Sequence, residues 1–263
     1  MNPEAYRQLA VDIAQEAGEL ARQRRAAGVA LAATKSTLAD IVTDADREVE
    51  ALIRDRLRTE RPGEGFLGEE SGTSAGATDI TWVIDPIDGT VNYASGIPLY
   101  AVSIAVVQGS PDPDTWVPLA GAVHAPVLGE TFSAANGGGA QLNSRRIHVA
   151  EPSAAGALLA TGFGYDPATH AGDLATVGRV MPMARDLRRG GSAALDLSFV
   201  AAGRLDGYFE RGLQPWDFAA GSLIVQEAGG VFSRPEQSAA RRMNLAGAAG
   251  VVTELRRRIF DAE

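Results

Sequence analysis

Apolar residues recur at helical spacing over residues 4 to 25, where Tyr6, Leu9, Ile13, Ala17 and Leu20 share one face and charges take the other, which predicts an amphipathic helix. A second helix is predicted over Asp46 to Arg58, with Val49, Leu52, Ile53 and Leu57 as its apolar face and Thr43 or Asp44 as its N-cap. The period then shortens. Gly65 to Glu69 reads as a strand, Ser71 to Thr81 as a loop rich in small residues, and Trp82 to Ile84 as a buried strand. Tyr100 to Gln108, Trp116 to His124 and Glu130 to Ala135 read as strands of an antiparallel sheet, followed by an Asn136-Gly137-Gly138-Gly139 turn. In the second half, strands at Leu158–Phe163, Ala184–Leu187 and Asp206–Glu210 alternate with helices at Thr169–Met181, Ala193–Ala202 and Trp216–Ala228, before a terminal helix at Val252–Phe260. This alternation predicts an α/β layer joined to an α+β first half, with the boundary near Arg145 to Pro152.

One stretch breaks the packing logic. The apolar run Trp82-Val83-Ile84 stops in Asp85-Pro86-Ile87-Asp88-Gly89-Thr90, and Pro86, which has no N–H to donate, is expected to force the backbone out of the ladder. Asp85 and Asp88 lie three apart across the resulting turn, so both carboxylates can converge with the Ile87 carbonyl. Hard oxygen donors of this kind suit Mg2+, while the N–H groups of Gly89 and Thr90, at the start of a short helix, suit a phosphate.

Two companion motifs carry the same signature. Phe66-Leu67-Gly68-Glu69-Glu70-Ser71-Gly72 is a second apolar run ending in carboxylates, and Pro215-Trp216-Asp217-Phe218-Ala219-Ala220-Gly221 puts an aspartate at the start of an apolar helix. With all three motifs the chain resembles the inositol monophosphatase family, Mg2+-dependent and lithium-sensitive phosphatases, nearly end to end from Lys35 and Asp46 to Glu227-Ala228-Gly229-Gly230. The resemblance implies a layered αβαβα sandwich, antiparallel sheet in the first half and mixed sheet in the second. Residues 1–147 would form an N-terminal α+β subdomain and 148–263 a C-terminal α/β subdomain, with the active site between them.

The family reading assigns roles residue by residue. Metal is expected on Glu69, Asp85, the Ile87 carbonyl, Asp88 and Asp217, with on the order of two or three Mg2+ ions per site. Adjacent glutamates on an extended backbone point opposite ways, so one of Glu69 and Glu70 is expected in the site; the family match selects Glu69. Glu69 and Thr90 are expected to orient and deprotonate the attacking water, and Asp46, which capping explains poorly, matches a family aspartate close to the metals. The substrate would meet Ile87, Asp88, Gly89, Thr90 and Asp217, the loop matching Gly191, Ser192 and Ala193, and the hydroxyl-binding glutamate matching Glu210. Lys35, the only lysine of the chain, matches a lysine near the family's active site. Tyr165 stands where some relatives have a small polar residue, which affects the far rim of the pocket. The reaction expected is hydrolysis of a small phosphorylated polyol, most closely myo-inositol monophosphate. The alternatives are histidinol phosphate, fructose 1,6-bisphosphate, a nucleotide 3'-phosphate, or a non-enzymatic regulatory role. A homodimer is expected from the resemblance.

Composition narrows the partners. At 263 residues and 45% hydrophobic the chain can bury a sizeable core. Its formal net charge of -9 argues against nucleic acid or an acidic membrane as partner, and an acidic protein acting on phosphates needs metal to supply local positive charge. The absence of cysteine removes disulfides, thiolate catalysis and Cys-ligated zinc. Residues 1–6 show no basic and apolar leader pattern, and no run reaches the length of a membrane span, so a cytoplasmic protein is expected.

Overall fold

The computed structural model describes residues 2–28, 31–34, 41–235 and 240–261; Lys35 lies outside them. Helix α1 (Pro3–Ala27) begins where Asn2 Oδ1 accepts the Glu4 N–H at 3.1 Å, and Tyr6, Ala10, Ile13, Ala14, Ala17 and Ala21 form its buried face. Strands β1 (Leu31–Thr34) and β2 (Ile41–Thr43) pair antiparallel and lead into α2 (Asp44–Glu60). Then come β3 (Gly65–Gly68), β4 (Gly72–Ser74), β5 (Ile80–Asp88), α3 (Thr90–Ser95), β6 (Ala101–Gln108), β7 (Val117–Ala125), β8 (Glu130–Ala135), β9 (Gly139–Leu142) and β10 (Arg145–Arg146). Their eight strands form one sheet in the order β10-β9-β8-β7-β6-β5-β3-β4. The remainder is β11 (Ala157–Thr161), α4 (Pro167–Val180), β12 (Ala184–Arg188), α5 (Ala193–Ala201), β13 (Gly207–Arg211), α6 (Pro215–Glu227), β14 (Val231–Ser233), β15 (Met243–Gly247) and α7 (Ala249–Phe260). These five strands form a mixed sheet ordered β12-β11-β13-β15-β14.

Period-2 alternation sorts the side chains into layers. In the large sheet Trp82, Ile84, Val102, Ile104 and Val106 pack against α1 and α2, while Val83, Ala105, Val107 and Val123 join the core built around α5 and α6. From the other side of that same core come Ala160, Tyr208 and Ala246 of the small sheet. Their neighbours Leu159, Phe209 and Leu245 face outward onto Val180 of α4 and Val251, Leu255 and Ile259 of α7. The result is helix, sheet, helix, sheet, helix, the layered α+β sandwich expected. Among the described residues no helix is long and apolar enough to cross a membrane.

Three expectations need correction. The large sheet is not wholly antiparallel, because β3 runs parallel to β5. Nor is the segment from 71 to 81 one loop: β4 returns along the outer edge of β3, and β5 begins at Ile80 on its inner side. To get from edge to interior, the chain crosses beneath the start of β3, where Ala77 N–H donates to Gly63 O at 2.6 Å. A Cβ on Gly76 would fall 2.4 Å from Gly65 N and 2.5 Å from Gly63 O, so only glycine fits this crossing.

Third, β5 does not stop at Ile84. It continues through Pro86 to Asp88, and its pairing with β6 passes from Asp85↔Ser103 to Asp88↔Ala101. Pro86 and Ile87 therefore oppose Val102 alone, a β-bulge that tolerates the missing N–H. The sequence pattern also passed over β9, β10 and β15, which are short and carry glycine, arginine or asparagine in place of a β-branched run, and β14, which is only three residues long.

Replacing Gly76 by alanine should lower unfolding free energy by about 1–3 kcal/mol, through backbone overlap that no rotamer relieves. Denaturant unfolding measures this; a variant as stable as wild type would mean the crossing has room for a side chain.

Candidate active site

The bulge decides the site. In a regular strand residues three apart face opposite sides, but one extra residue restores the parity, so Asp85 and Asp88 lie on the same face as their partners Ser103 and Ala101. That is the α6 side: Ser103 Oγ donates to Trp216 O at 3.4 Å. Gly89 then takes φ 95°, a left-handed turn that starts α3 at Thr90, and the first N–H groups of a helix have no intrahelical acceptor. Thr90 Oγ1 lies 3.0 Å from Ile87 O and 3.3 Å from Asp46 Oδ1, so its proton goes to one or the other.

A cavity of about 710 Å3 opens where β3 and β5 end and α3, α5 and α6 begin. Glu69, Asp85, Ile87, Asp88, Gly89, Thr90, Gly191, Ser192, Ala193, Glu210 and Asp217 all line it. Asp46 is outside the lining, buried behind it in the first turn of α2. Asp217 is held on α6 by the Gln214 N–H, which donates to its Oδ2 at 2.7 Å in a capping box. Glu69 and Glu70 both line the cavity, against the expectation of one, because the chain turns after Gly68 instead of staying extended. Glu70 N–H is accepted by the buried Glu50 carboxylate at 2.9 Å.

Asp88 joins the two halves. Its Oδ2 accepts the Ser192 hydroxyl at 2.6 Å and the Ala194 N–H at 2.7 Å, while Ser192 Oγ accepts the Leu195 N–H at 3.3 Å and caps α5. Glu210, also in the lining, accepts the Tyr208 hydroxyl.

Burial sets the charges. Asp85 is pushed well above the usual carboxylate range by burial, then by the charges of Glu69, Asp88, Asp217 and Asp46. Asp217 is raised likewise by burial and by Asp88 and Glu69. Asp88 rises to about 6 through burial, opposed by its bonds from Ser192 and Ala194, and Glu210 rises to about 7 through burial, opposed by Tyr208. Buried carboxylates that raise one another are a donor set suited to a hard divalent cation, which would relieve both repulsion and desolvation. The donor chemistry fits, although no preformed cage of three such side chains closes on one point among the described residues.

The pattern reading passed over Glu50, Arg189, Arg241 and Asp196. Glu50 follows Asp46 by one helical turn on the buried face of α2, and that spacing could have flagged it. Asp196 was legible as the lone charge of an apolar helix. His124 stays outside the site: its Nδ1 pairs with Thr131 Oγ1 at 2.9 Å and burial lowers its pKa.

The model of the inositol monophosphatase family matches residues 2–260. The chain belongs to the inositol monophosphatase family. It is 43% identical to the inositol-1-monophosphatase of Mycobacterium leprae (strain TN), over 99% of this chain and 92% of that protein. It is 42% identical to the Nus factor SuhB of Escherichia coli (strain K12), over 86% of this chain and 83% of that protein. The crystal structure of extragenic suppressor protein suhB from Bartonella henselae superposes with a TM-score of 0.88 at 35% identity, covering 98% of this chain and 100% of that one. Enzymes of this family are phosphatases that generally depend on Mg2+.

Two stability predictions follow from Asp88. Asp88→Asn keeps an oxygen for Ser192 and Ala194 and should fold normally, whereas Asp88→Ala strands both donors and should lose about 1–3 kcal/mol in denaturant unfolding. Because the folded-state pKa lies above 3.8, the carboxyl's contribution is complete at low pH and is lost as pH rises through about 6. Metal-free wild type should therefore lose more thermal stability than Asp88→Asn between about pH 4 and pH 7, and equal slopes would refute the assignment.

Proposed function

We propose that this chain hydrolyses a small phosphomonoester, myo-inositol monophosphate foremost, in a Mg2+-dependent reaction. The observation that carries the reading is the meeting of Glu69, Asp85, Asp88 and Asp217 in one cavity that the start of α3 and Glu210 also line. Glu69, Asp85, the Ile87 carbonyl, Asp88 and Asp217 would hold the metal. Bound Mg2+ supplies charge neutralisation for the phosphoryl oxygens and lowers the pKa of a water.

The chain's own residues do the rest. Thr90 Oγ1, which donates its hydroxyl hydrogen bond to Asp46 or Ile87 O and keeps its lone pairs for the water, orients the attacking water, and Glu69 accepts the water's proton. The N–H groups of Gly89 and Thr90 bind phosphate oxygens. The loop of Gly191, Ser192 and Ala193 and the carboxylate of Glu210 meet the alcohol. Subdomains 1–147 and 148–263 flank the cleft in this reading, and the family resemblance extends it to a homodimer, checked by light scattering against the 27.4 kDa of one chain.

Phosphate release from a panel including histidinol phosphate, fructose 1,6-bisphosphate and a nucleotide 3'-phosphate tests the substrate. EDTA should abolish turnover and Mg2+ should restore it; activity surviving in metal-free protein would sink the metal assignment. Glu210→Gln should lower activity on inositol monophosphate more than on phenyl phosphate, since a polar group built to meet hydroxyls discriminates against ligands lacking them. Equal losses would remove Glu210 from the alcohol site. The name of the Escherichia coli relative, a Nus factor, supports a second reading as a regulatory partner, favoured if the purified chain turns over nothing on the panel.

A further inference from the structure

The cavity that holds Glu210 holds a second carboxylate that the phosphate chemistry does not use. Asp196 lies one turn into α5, is 4% exposed and lines the cavity. It follows the N-cap Ser192 by four residues, so the two share a helix face, and Ser192 donates to Asp88 on that face. Its oxygens sit against the loop before α5: a Cβ on Gly190 would lie 2.5 Å from Oδ1 and 3.1 Å from Oδ2. The charges around it are Glu210 and Asp88, which repel it, and Arg189, which attracts it. No described residue donates a hydrogen bond to the Asp196 carboxylate.

A buried carboxylate without donors is costly, and one that lines a cavity can be satisfied by what enters it. We propose that Asp196 is a specificity-determining residue which, with Glu210, accepts hydrogen bonds from hydroxyl groups of the substrate's alcohol, so that the site selects phosphomonoesters of polyols. This rests on the phosphatase reading. A polyol bearing at least two free hydroxyls supplies a donor to each carboxylate. A phenol has no donor left once it is esterified, and leaves both unmet. Burial, with the charges of Glu210 and Asp88, raises the pKa of Asp196, so its charge is costly where it stands.

The test compares Asp196→Asn and Asp196→Ala with wild type in saturating Mg2+. Substrates are myo-inositol 1-phosphate, glycerol 2-phosphate, phenyl phosphate and phosphoethanolamine, with thermal midpoints recorded throughout. The ratio of kcat/KM on each polyol phosphate to kcat/KM on phenyl phosphate should fall about tenfold to a hundredfold in Asp196→Ala, and by less but in the same direction in Asp196→Asn, which keeps one acceptor oxygen, mostly through KM, as for hydrogen bonds lost in a buried site. Should Asp196→Ala fail to fold, the near-isosteric Asp196→Asn carries the comparison. Parallel losses on polyol and aryl substrates, an unchanged ratio, or a fall confined to the amine phosphoethanolamine overturns the proposal. A wild type inactive on inositol phosphate whose glycerol 2-phosphate ratio still falls in the variants removes the inositol reading and keeps Asp196. Wild-type inositol activity with an unmoved ratio does the reverse, and hydrolysis of phenyl phosphate alone overturns both.

Discussion

The contact on which the cavity depends is the one between Asp88 and the start of α5. A carboxylate at the end of a strand in the large sheet accepts a hydroxyl at 2.6 Å and a backbone N–H at 2.7 Å from a helix of the second half. Charge-assisted bonds of this kind are short and strong, and here they are buried, so neither partner has water as a substitute. They also favour an anion at a helix N-terminus, where the dipole lowers the cost of its charge. Burial still raises Asp88 to about 6, so the contact restrains the cost of a buried charge without removing it. The same carboxylate that lines the cavity thus also ties the large sheet to α5.

That contact exists because β5 carries a bulge. Were β5 a regular strand through Pro86 and Ile87, Asp85 and Asp88 would face opposite sides of the sheet, one toward α6 and one toward α1. Pro86 favours the irregularity because it cannot donate to the ladder, and Gly89 completes it by accepting a positive φ. The local sequence therefore encodes a change of parity, and the parity change encodes convergence.

Much of this was readable before any coordinates. The motif around Asp85 announced convergence, although the pattern suggested a turn where the chain keeps to the strand with a bulge, since both explain a proline between aspartates equally well. Helices α1, α2, α5 and α6 followed from apolar spacing and cap residues. The parallel pairing of β3 with β5 was not readable: it depends on the excursion through β4 and on Gly76 passing under Gly65, a contact between backbones that no side-chain pattern records. Glu70 was misjudged because the adjacent-residue rule assumes extended backbone, and the chain turns there. Glu50 and Asp196 were missed for another reason, since each is a carboxylate buried on a helix, α2 and α5, where apolar residues are the expectation.

Helix α5 then has a role beyond packing. Its N-cap Ser192 touches Asp88 at the carboxylate-rich end of the cavity, and Asp196 lies four residues on, about 6 Å along the axis at the helical rise. Glu210 enters from β13 into the same cavity, and its charge acts on Asp196. On the proposed reading the spacing between the phosphate end and the hydroxyl end is set by one turn of a rigid, buried helix, not by a loop. Selection by that spacing would be insensitive to motion of the exposed rim at Tyr165, which lines the same cavity but is 47% exposed. The rim can vary in size among substrates while the distance between the two recognition ends stays fixed, because changing that distance would require α5 to slide against both sheets at once.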